Sequence, residues 1–384
     1  MAREADGGGG RAPVERGMSA ATPAGPLAAG STIGIIGGGQ LGRMLAMAAA
    51  RLSYRTVILE PQVDCPASQM ANRQIVAGYD DPQALAELAA GCDVVTYEFE
   101  NVPVSAAEAL AAQVPVFPPP SALEVSQDRL VEKRFLNSIG LPTAPFRAVD
   151  GDDDLAEAIA AFGGDGILKT RRMGYDGKGQ RVFRDATGED AKGVYEAMGG
   201  VPLILEGFVR FQREVSVIAA RDSAGNCVCY DAAENVHVGG ILRRSTVPAG
   251  CSSHTAIAAQ EFAVTILSRL DYVGVLGVEL FDAEDGLVVN EIAPRVHNSG
   301  HWTEAACAIS QFEQHIRCVA GLPLGRTLRH SDCVMENLIG DEVFRAPELA
   351  AENNLVLHLY GKAEARPGRK MGHFTRLVTR PVRP

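Results

Sequence analysis

The sequence predicts two architectures in one chain: an α/β unit on a doubly wound parallel sheet, then an α+β unit that ends in a small β-rich segment. Three observations carry this. Strand-like and helix-like runs alternate from Thr32 to Tyr97, the pattern of a parallel sheet. From Ala144 to about Leu322 the runs become strands and hairpins with few helices. Beyond Pro323 they are strand-like again, near Cys333–Ile339, Leu355–Tyr360 and Met371–Val378.

Each element has a local reason. Residues 1–30 are rich in Gly, Ala and Pro and are expected to be disordered, with Met18 a second candidate start. Thr32–Ile36 is an apolar strand, and Gly37–Gly42 a tight turn into a helix from Leu41 to Arg51. Further strands end at Glu60 and at Glu98-Phe99-Glu100, so these carboxylates fall at strand carboxyl ends, where such sheets bind ligands. The first unit is expected over 31–120. After Pro118-Pro119-Pro120, one helix from about Ser121 to Ser138 opens a unit over 121–322. The last segment, 323–384, is too small to stand alone and is expected to pack back onto the first unit.

Composition narrows the function classes. A net charge of −11 argues against a nucleic-acid binder. No apolar run is long enough for a membrane span. The eight cysteines include no C-x-x-C and suit a reduced, cytoplasmic protein. Against the acidic whole, the tail carries Lys362, Arg366, Arg369 and Lys370 with only Glu364 opposing, which suggests a local anion site or a solvated edge.

The most informative stretch is Val278-Glu279-Leu280-Phe281 with Val289-Asn290-Glu291, joined through Asp282–Gly286. It reads as a hairpin with both glutamates on one face. Half-buried paired carboxylates repel unless a cation separates them, and Mg²⁺ characteristically binds carboxylates together with substrate phosphates. The pair therefore points to Mg-ATP chemistry; two solvent-facing strand-end acids are the alternative. Gly37, Gly39 and Gly42 have G-x-G-x-x-G spacing with Glu60 beyond, compatible with a dinucleotide site, a phosphate at a helix N-terminus or a structural turn. Lys169 to Gln180 places Gly174, Gly177 and Gly179 among cations, as in a flap over phosphates. Glu206-Gly207-Phe208-Val209 and Glu214 suit an adenine and ribose slot, while His237 is by default a hairpin histidine. Arg295-Val296-His297-Asn298-Ser299-Gly300-His301-Trp302 gathers an arginine and polar donors beside Glu291, suited to a small anion.

In this order the motifs resemble the ATP-grasp superfamily. Within it, Gly37–Met44, Gly174–Gln180, Asn290–Trp302 and Arg366–His373 resemble the N5-carboxyaminoimidazole ribonucleotide synthetase family, from about Thr32 to Val378. The resemblance implies an ATP-grasp fold with a pre-ATP-grasp domain and a homodimer. It also implies ATP-dependent carboxylation of 5-aminoimidazole ribonucleotide with bicarbonate, through carboxyphosphate, with Mg²⁺ or Mn²⁺. Glu279 and Glu291 would hold the metal. ATP would meet Arg129, Lys169, Gly174, Tyr175, Asp176, Gly177, Lys178, Gly179, Gln180, Glu206, Gly207, Phe208, Val209, Glu214, His237, Asn290 and Glu291. Arg295, Asp176, Lys178 and His297 would be catalytic. The ribonucleotide would meet Gly39, Gln40, Leu41, Glu98, Glu100, Tyr175, Asn298, Ser299, Lys362, Arg366, Arg369 and Lys370. One departure stands out: Met173 replaces a glycine at the start of the flap, where a side chain resists positive φ. A formate-using transformylase and, more distantly, an NAD-dependent oxidoreductase are the alternatives.

Overall fold

The computed structural model describes residues 25–174 and 179–378. The alternating N-terminal pattern forms a four-stranded parallel sheet, ordered Arg73–Ile75, Arg55–Leu59, Thr32–Ile36, Val94–Tyr97. Its central strand is buried apolar side chain from Ile33 to Ile36, as a sheet covered on both faces requires. The helix Gln40–Arg51 covers one face through Leu41, Met44 and Leu45.

Pro120–Ser138 is not one helix. It breaks into Pro120–Ser126 and Arg129–Ser138, because Asp128 caps the second segment, accepting from Leu130 N–H at 3.0 Å. An aspartate in extended conformation satisfies the free amides of a helix start and so competes with helix continuation. This restart turns Arg129, Glu132 and Lys133 onto one face.

Two antiparallel sheets follow. The smaller is ordered Phe146–Val149, Leu203–Glu206, Gly166–Thr170, Gln180–Phe183. The larger has nine strands, ordered Gly286–Ala293, Gly274–Ala283, Phe211–Arg221, Ala233–Val238, Ile241–Val247, Asp332–Ile339, Lys370–Val378, Leu355–Leu359, with Cys227–Cys229 on Phe211–Arg221. The C-terminal strands thus continue this sheet through the pairing of Asp332–Ile339 with Ile241–Val247. The segment also touches the first unit, where Gln69 Nε2 donates to Gly361 O at 3.1 Å. One core runs across all three parts, from Ile33 and Leu45 through Tyr230, Trp302 and Phe312 to Tyr360.

Of the N-terminal stretch expected to be disordered, residues 1–24 lie outside the described residues. Leu27, within that stretch, is held: its N–H donates to Ala320 O at 2.8 Å and its carbonyl accepts from the Tyr54 hydroxyl at 3.0 Å. Met173 adopts φ of +60° despite its side chain. A left-handed non-glycine residue costs about 1–2 kcal/mol, which the flap base bears. No helix among the described residues is long and apolar enough to cross a membrane, and the eight cysteines are free.

Candidate active site

A cleft of about 600 Å³ opens between the first sheet, the small sheet and the large one. Its floor is the hairpin. Glu279 and Glu291 are directly paired across it, so both carboxyls reach the cleft. The register slips beyond Glu279, where Leu280 faces Val289, leaving Asn290 as an extra residue in its strand. Simple alternation would send Asn290 to the opposite face from Glu291; with the bulge, both line the cleft.

The two carboxyls are electrostatically unlike. Burial, reinforced by Glu291, raises the pKa of Glu279. Burial also works to raise Glu291, but the Arg129 guanidinium at 3.1 Å outweighs it and holds that carboxyl low. Arg129 Nη2 also donates to Gly174 O at 2.9 Å, tying the flap base to the site. Beside them, Glu132 is pushed up to about 8 by burial and then by Glu291; its Oε1 accepts from Ile292 N–H at 2.5 Å.

Arg295 follows the hairpin. Its Nε donates to Glu100, and its Nη1 donates to Val296 O at 3.1 Å. Burial opposes ionisation of Glu100, yet the guanidinium prevails and lowers its pKa. His297 is neutral, its pKa lowered to about 3 by burial and then by Arg295. The ring's Nδ1 faces Ser299, 3.4 Å from its N–H, and its Nε2 lies 3.5 Å from Glu279. Gln311 clamps this loop, accepting from His297 N–H at 2.9 Å and donating to His297 O at 2.7 Å. Asn298 exchanges amide hydrogen bonds of 3.0 and 2.8 Å with Asn337, fixing the loop to a C-terminal strand.

Most of the expected residues meet here. Gln40, Leu41, Glu98, Glu100, Arg129, Lys169, Gly174, Gly179, Gln180, Glu214, His237, Glu279, Asn290, Glu291, Arg295, His297, Asn298 and Lys370 line the cleft. His237 is paired to Glu214, which raises its pKa against the effect of burial. Tyr175, Asp176, Gly177 and Lys178 lie outside the described residues. Glu206 is buried beside the cleft-lining Lys169, 3.0 Å from its ammonium, with Gly207, Phe208 and Val209 continuing from it. Ser299 is buried behind His297, its hydroxyl 2.8 Å from Nδ1. Of the basic tail, Lys370 lines the cleft; Lys362 donates to Lys370 O at 2.7 Å, while Arg366 pairs with Glu364 and Arg369 donates to Glu364 O at 3.1 Å.

The glycine turn is packed against carboxylates of the chain itself. Gly39 N–H and Gly42 N–H donate to the Glu98 carboxylate, and Gly38 N–H to Glu60 at 2.9 Å. A carboxylate from the neighbouring strand end thus meets the amides at this helix start. Gly37 has φ of +105°, and an added Cβ there would lie 2.4 Å from Glu98 Cγ, so the close approach demands glycine. Glu60, the acid that the alternative dinucleotide reading would place on a ribose, is bonded to this turn and to Tyr79. Sequence reasoning missed Glu132 and Lys133. Their spacing from Arg129, three and four residues on, was visible, but a charged stripe on a helix ordinarily faces water.

Models of known families match the chain in three segments: a ribonucleotide synthetase preATP-grasp domain over residues 30–127, an ATP-grasp domain over 134–312, and a phosphoribosylaminoimidazole carboxylase C-terminal domain over 333–381. The chain is 66% identical over 357 residues to the N5-carboxyaminoimidazole ribonucleotide synthase of Brucella melitensis, covering 93% of this chain and 99% of that protein. The structure of the Staphylococcus aureus synthetase complexed with ADP superposes with a TM-score of 0.87 at 37% identity, covering 93% of this chain and 95% of that one. The Aspergillus clavatus synthase in complex with ADP and 5-aminoimidazole ribonucleotide gives 0.84 at 32% identity, covering 91% and 94%. Fold, cleft and likenesses together define an ATP-grasp ligase, an enzyme that joins carbon to nitrogen at the expense of ATP. Within that class, the chain belongs to the N5-carboxyaminoimidazole ribonucleotide synthase family.

Proposed function

We infer that this enzyme carboxylates the exocyclic amine of 5-aminoimidazole ribonucleotide, with bicarbonate as the carbon source and ATP as the activator, in purine biosynthesis. The observation that carries the reading is the hairpin: opposed Glu279 and Glu291, with bulged Asn290 beside them and Arg295 a few residues on, at one cleft. The donor set fits a hard divalent cation. It is all oxygen, the two carboxyls repel each other, and among the described residues no larger His, Cys, Asp or Glu group competes as a metal cluster. When bound there, Mg²⁺ or Mn²⁺ supplies charge neutralisation on the terminal phosphates.

The residues around that pair divide the work. Arg129 and Lys169 neutralise the inner phosphates, and Glu214 with His237 holds the ribose. Bicarbonate attacks the γ-phosphorus; ADP departs and carboxyphosphate forms. Its carboxyl then passes to the amine, directly or as CO₂; a C–N bond forms, the amine loses a proton and phosphate leaves. Arg295 holds bicarbonate and then carboxyphosphate, where a fixed guanidinium matches the developing charge. His297, neutral and locked by Gln311 and Ser299, backs Glu279 without adding a cation. Lys370, Gln40, Leu41 and Asn298 face the ribonucleotide, and Asp176, Tyr175 and Lys178 act from the flap. A closed, dry site protects carboxyphosphate from water.

By the same resemblance we propose a homodimer acting in the cytoplasm, testable by light scattering and cell fractionation. The function is tested by ADP release with and without the ribonucleotide, with bicarbonate against formate. Release that needs both ribonucleotide and bicarbonate supports it; equal release with formate rejects it.

A further inference from the structure

The helix Arg129–Ser138 sends three charged side chains toward the nucleotide site, and the least accessible has no role in the scheme above. Lys133 is 1% exposed. Arg129 and Glu132 line the cleft, whereas Lys133 is buried beneath them, held between Glu206 and the hairpin backbone. Its Nζ sits 3.4 Å from Glu206 Oε2 and 3.4 Å from Asn290 O. A fully buried ammonium is expensive to desolvate, and such a group persists where a fixed counter-charge needs it.

The counter-charge is Glu206, whose two oxygens are treated differently. Oε2 receives Lys133 and, at 3.0 Å, Lys169. Among the described residues, Oε1 is buried with no hydrogen-bond partner. A buried acceptor without a donor costs stability, and this one sits on the strand end that leads into Gly207-Phe208-Val209. Of the two ammoniums, Lys169 lines the cleft, where it can also meet a phosphate, while Lys133 is buried and held by Glu206 and Asn290 O. Lys133 is therefore the partner that stays. Burial works to protonate Glu206, and Lys133 is the largest influence opposing it.

We propose that Lys133 is a positioning residue for base selection: it keeps Glu206 an ionised, acceptor-only group, so that the site admits adenine and rejects guanine. This rests on the reading of Glu206 as a base contact. A carboxylate accepts and cannot donate. Adenine offers an exocyclic amine to such a group. Guanine offers a carbonyl at the same edge, and two acceptors face each other. Were Glu206 protonated, its hydroxyl would donate to that carbonyl and the discrimination would shrink.

The experiment measures kcat/KM for ATP and GTP, read as ribonucleotide-dependent phosphate release, in wild type, Lys133→Met, Glu206→Gln and the double variant. Lys133→Met lowers the ATP-to-GTP ratio by about tenfold or more, the scale of one charge-assisted hydrogen bond. The loss falls mainly on KM for ATP, it eases as rising pH ionises Glu206, and Lys133→Arg restores most of it. In the Glu206→Gln background, removing Lys133 adds little, because the group it acts through is already neutral. That comparison stands even where Lys133→Met alone does not fold, since the double variant carries no uncompensated charge from the pair. An unchanged ratio in Lys133→Met beside a lowered ratio in Glu206→Gln overturns the inference and spares the base contact. An unchanged ratio in Glu206→Gln overturns both. Independent, multiplicative losses in the double variant reduce Lys133 to a structural role.

Discussion

Replacing Arg295 with alanine separates the chemistry of the site from its stability. Arg295 and Glu100 are mutual partners, with side chains 17% and 29% exposed. The guanidinium has a second task only if it meets an anion whose charge grows during reaction. Losing one oriented stabilising group costs about 10²–10³ in turnover, or ~2.7–4 kcal/mol. Losing it also leaves the Glu100 carboxylate uncompensated against Glu291, the like charge that acts on it. Breaking a fully buried pair costs ~3–5 kcal/mol; this one is partly open to the cleft, so screening reduces the stability cost to about 1–2 kcal/mol. The sign with pH follows from Glu100. In the wild type Arg295 lowers its folded pKa, so the pair stabilises above the unfolded carboxyl pKa. In Arg295→Ala the folded pKa rises above the unfolded one, and stability is lost as pH rises. The assay is turnover at saturating ATP, ATP affinity by equilibrium titration, and melting at pH 5.5 and pH 8. Turnover is expected to fall with ATP affinity nearly unchanged, and the melting deficit to be larger at pH 8. Arg295→Ala with Glu100→Gln restores melting but not turnover. Near-normal turnover in a folded Arg295→Ala protein refutes the anion role.

Three further outcomes are expected. Glu279→Gln removes one oxygen of the opposed pair and raises the metal concentration for half-maximal turnover by at least the ~10–100-fold that loss of an outer-shell partner costs; chelation abolishes turnover and added Mg²⁺ restores it. Lys370→Ala raises KM for the ribonucleotide more than KM for ATP; the reverse order in steady-state kinetics removes Lys370 from the ribonucleotide site. His315 is buried between Thr96 Oγ1 at 2.8 Å and Val275 N–H at 3.1 Å, and burial lowers its pKa to about 3. Its folded pKa lies below the unfolded value, so its contribution is present above pH ~6.5 and is lost as pH falls, by ~1.4 kcal/mol per unit. Denaturant titrations from pH 7 to pH 5 in wild type and His315→Gln read that slope, which is shallower in the variant.

Much of this protein was legible because the informative residues are local in sequence. The parallel sheet followed from alternation between Thr32 and Tyr97, and the C-terminal strands from apolar runs bounded by turns. Glu279 and Glu291 were readable because a hairpin brings residues of known spacing opposite each other. Arg295 to Trp302 stood out by the density of polar donors beside an apolar core. Legibility failed where a residue's partner is distant. Glu98 and Gly39 are far apart in the chain, so the carboxylate against the glycine turn was invisible, and the turn read equally as a dinucleotide site, a phosphate site or a structural turn. Arg295 and Glu100 come from different units, so their pairing was equally hidden. The break at Asp128 was locally available, since aspartate before a charged helical run is a cap, yet the stretch read as one helix from about Ser121 to Ser138.

The sequence alone determined the order of elements, the acid pair and the family, since these depend on local propensity, spacing and motif. Tertiary structure decided which charges face one another: Lys133 behind Glu206, Glu98 on the glycine amides, Glu100 on Arg295, and Asn290 turned by a bulge into the cleft. The physical reason is range. Backbone preferences act between neighbours along the chain, whereas burial and charge act through space, and their partners are known only once the chain has folded.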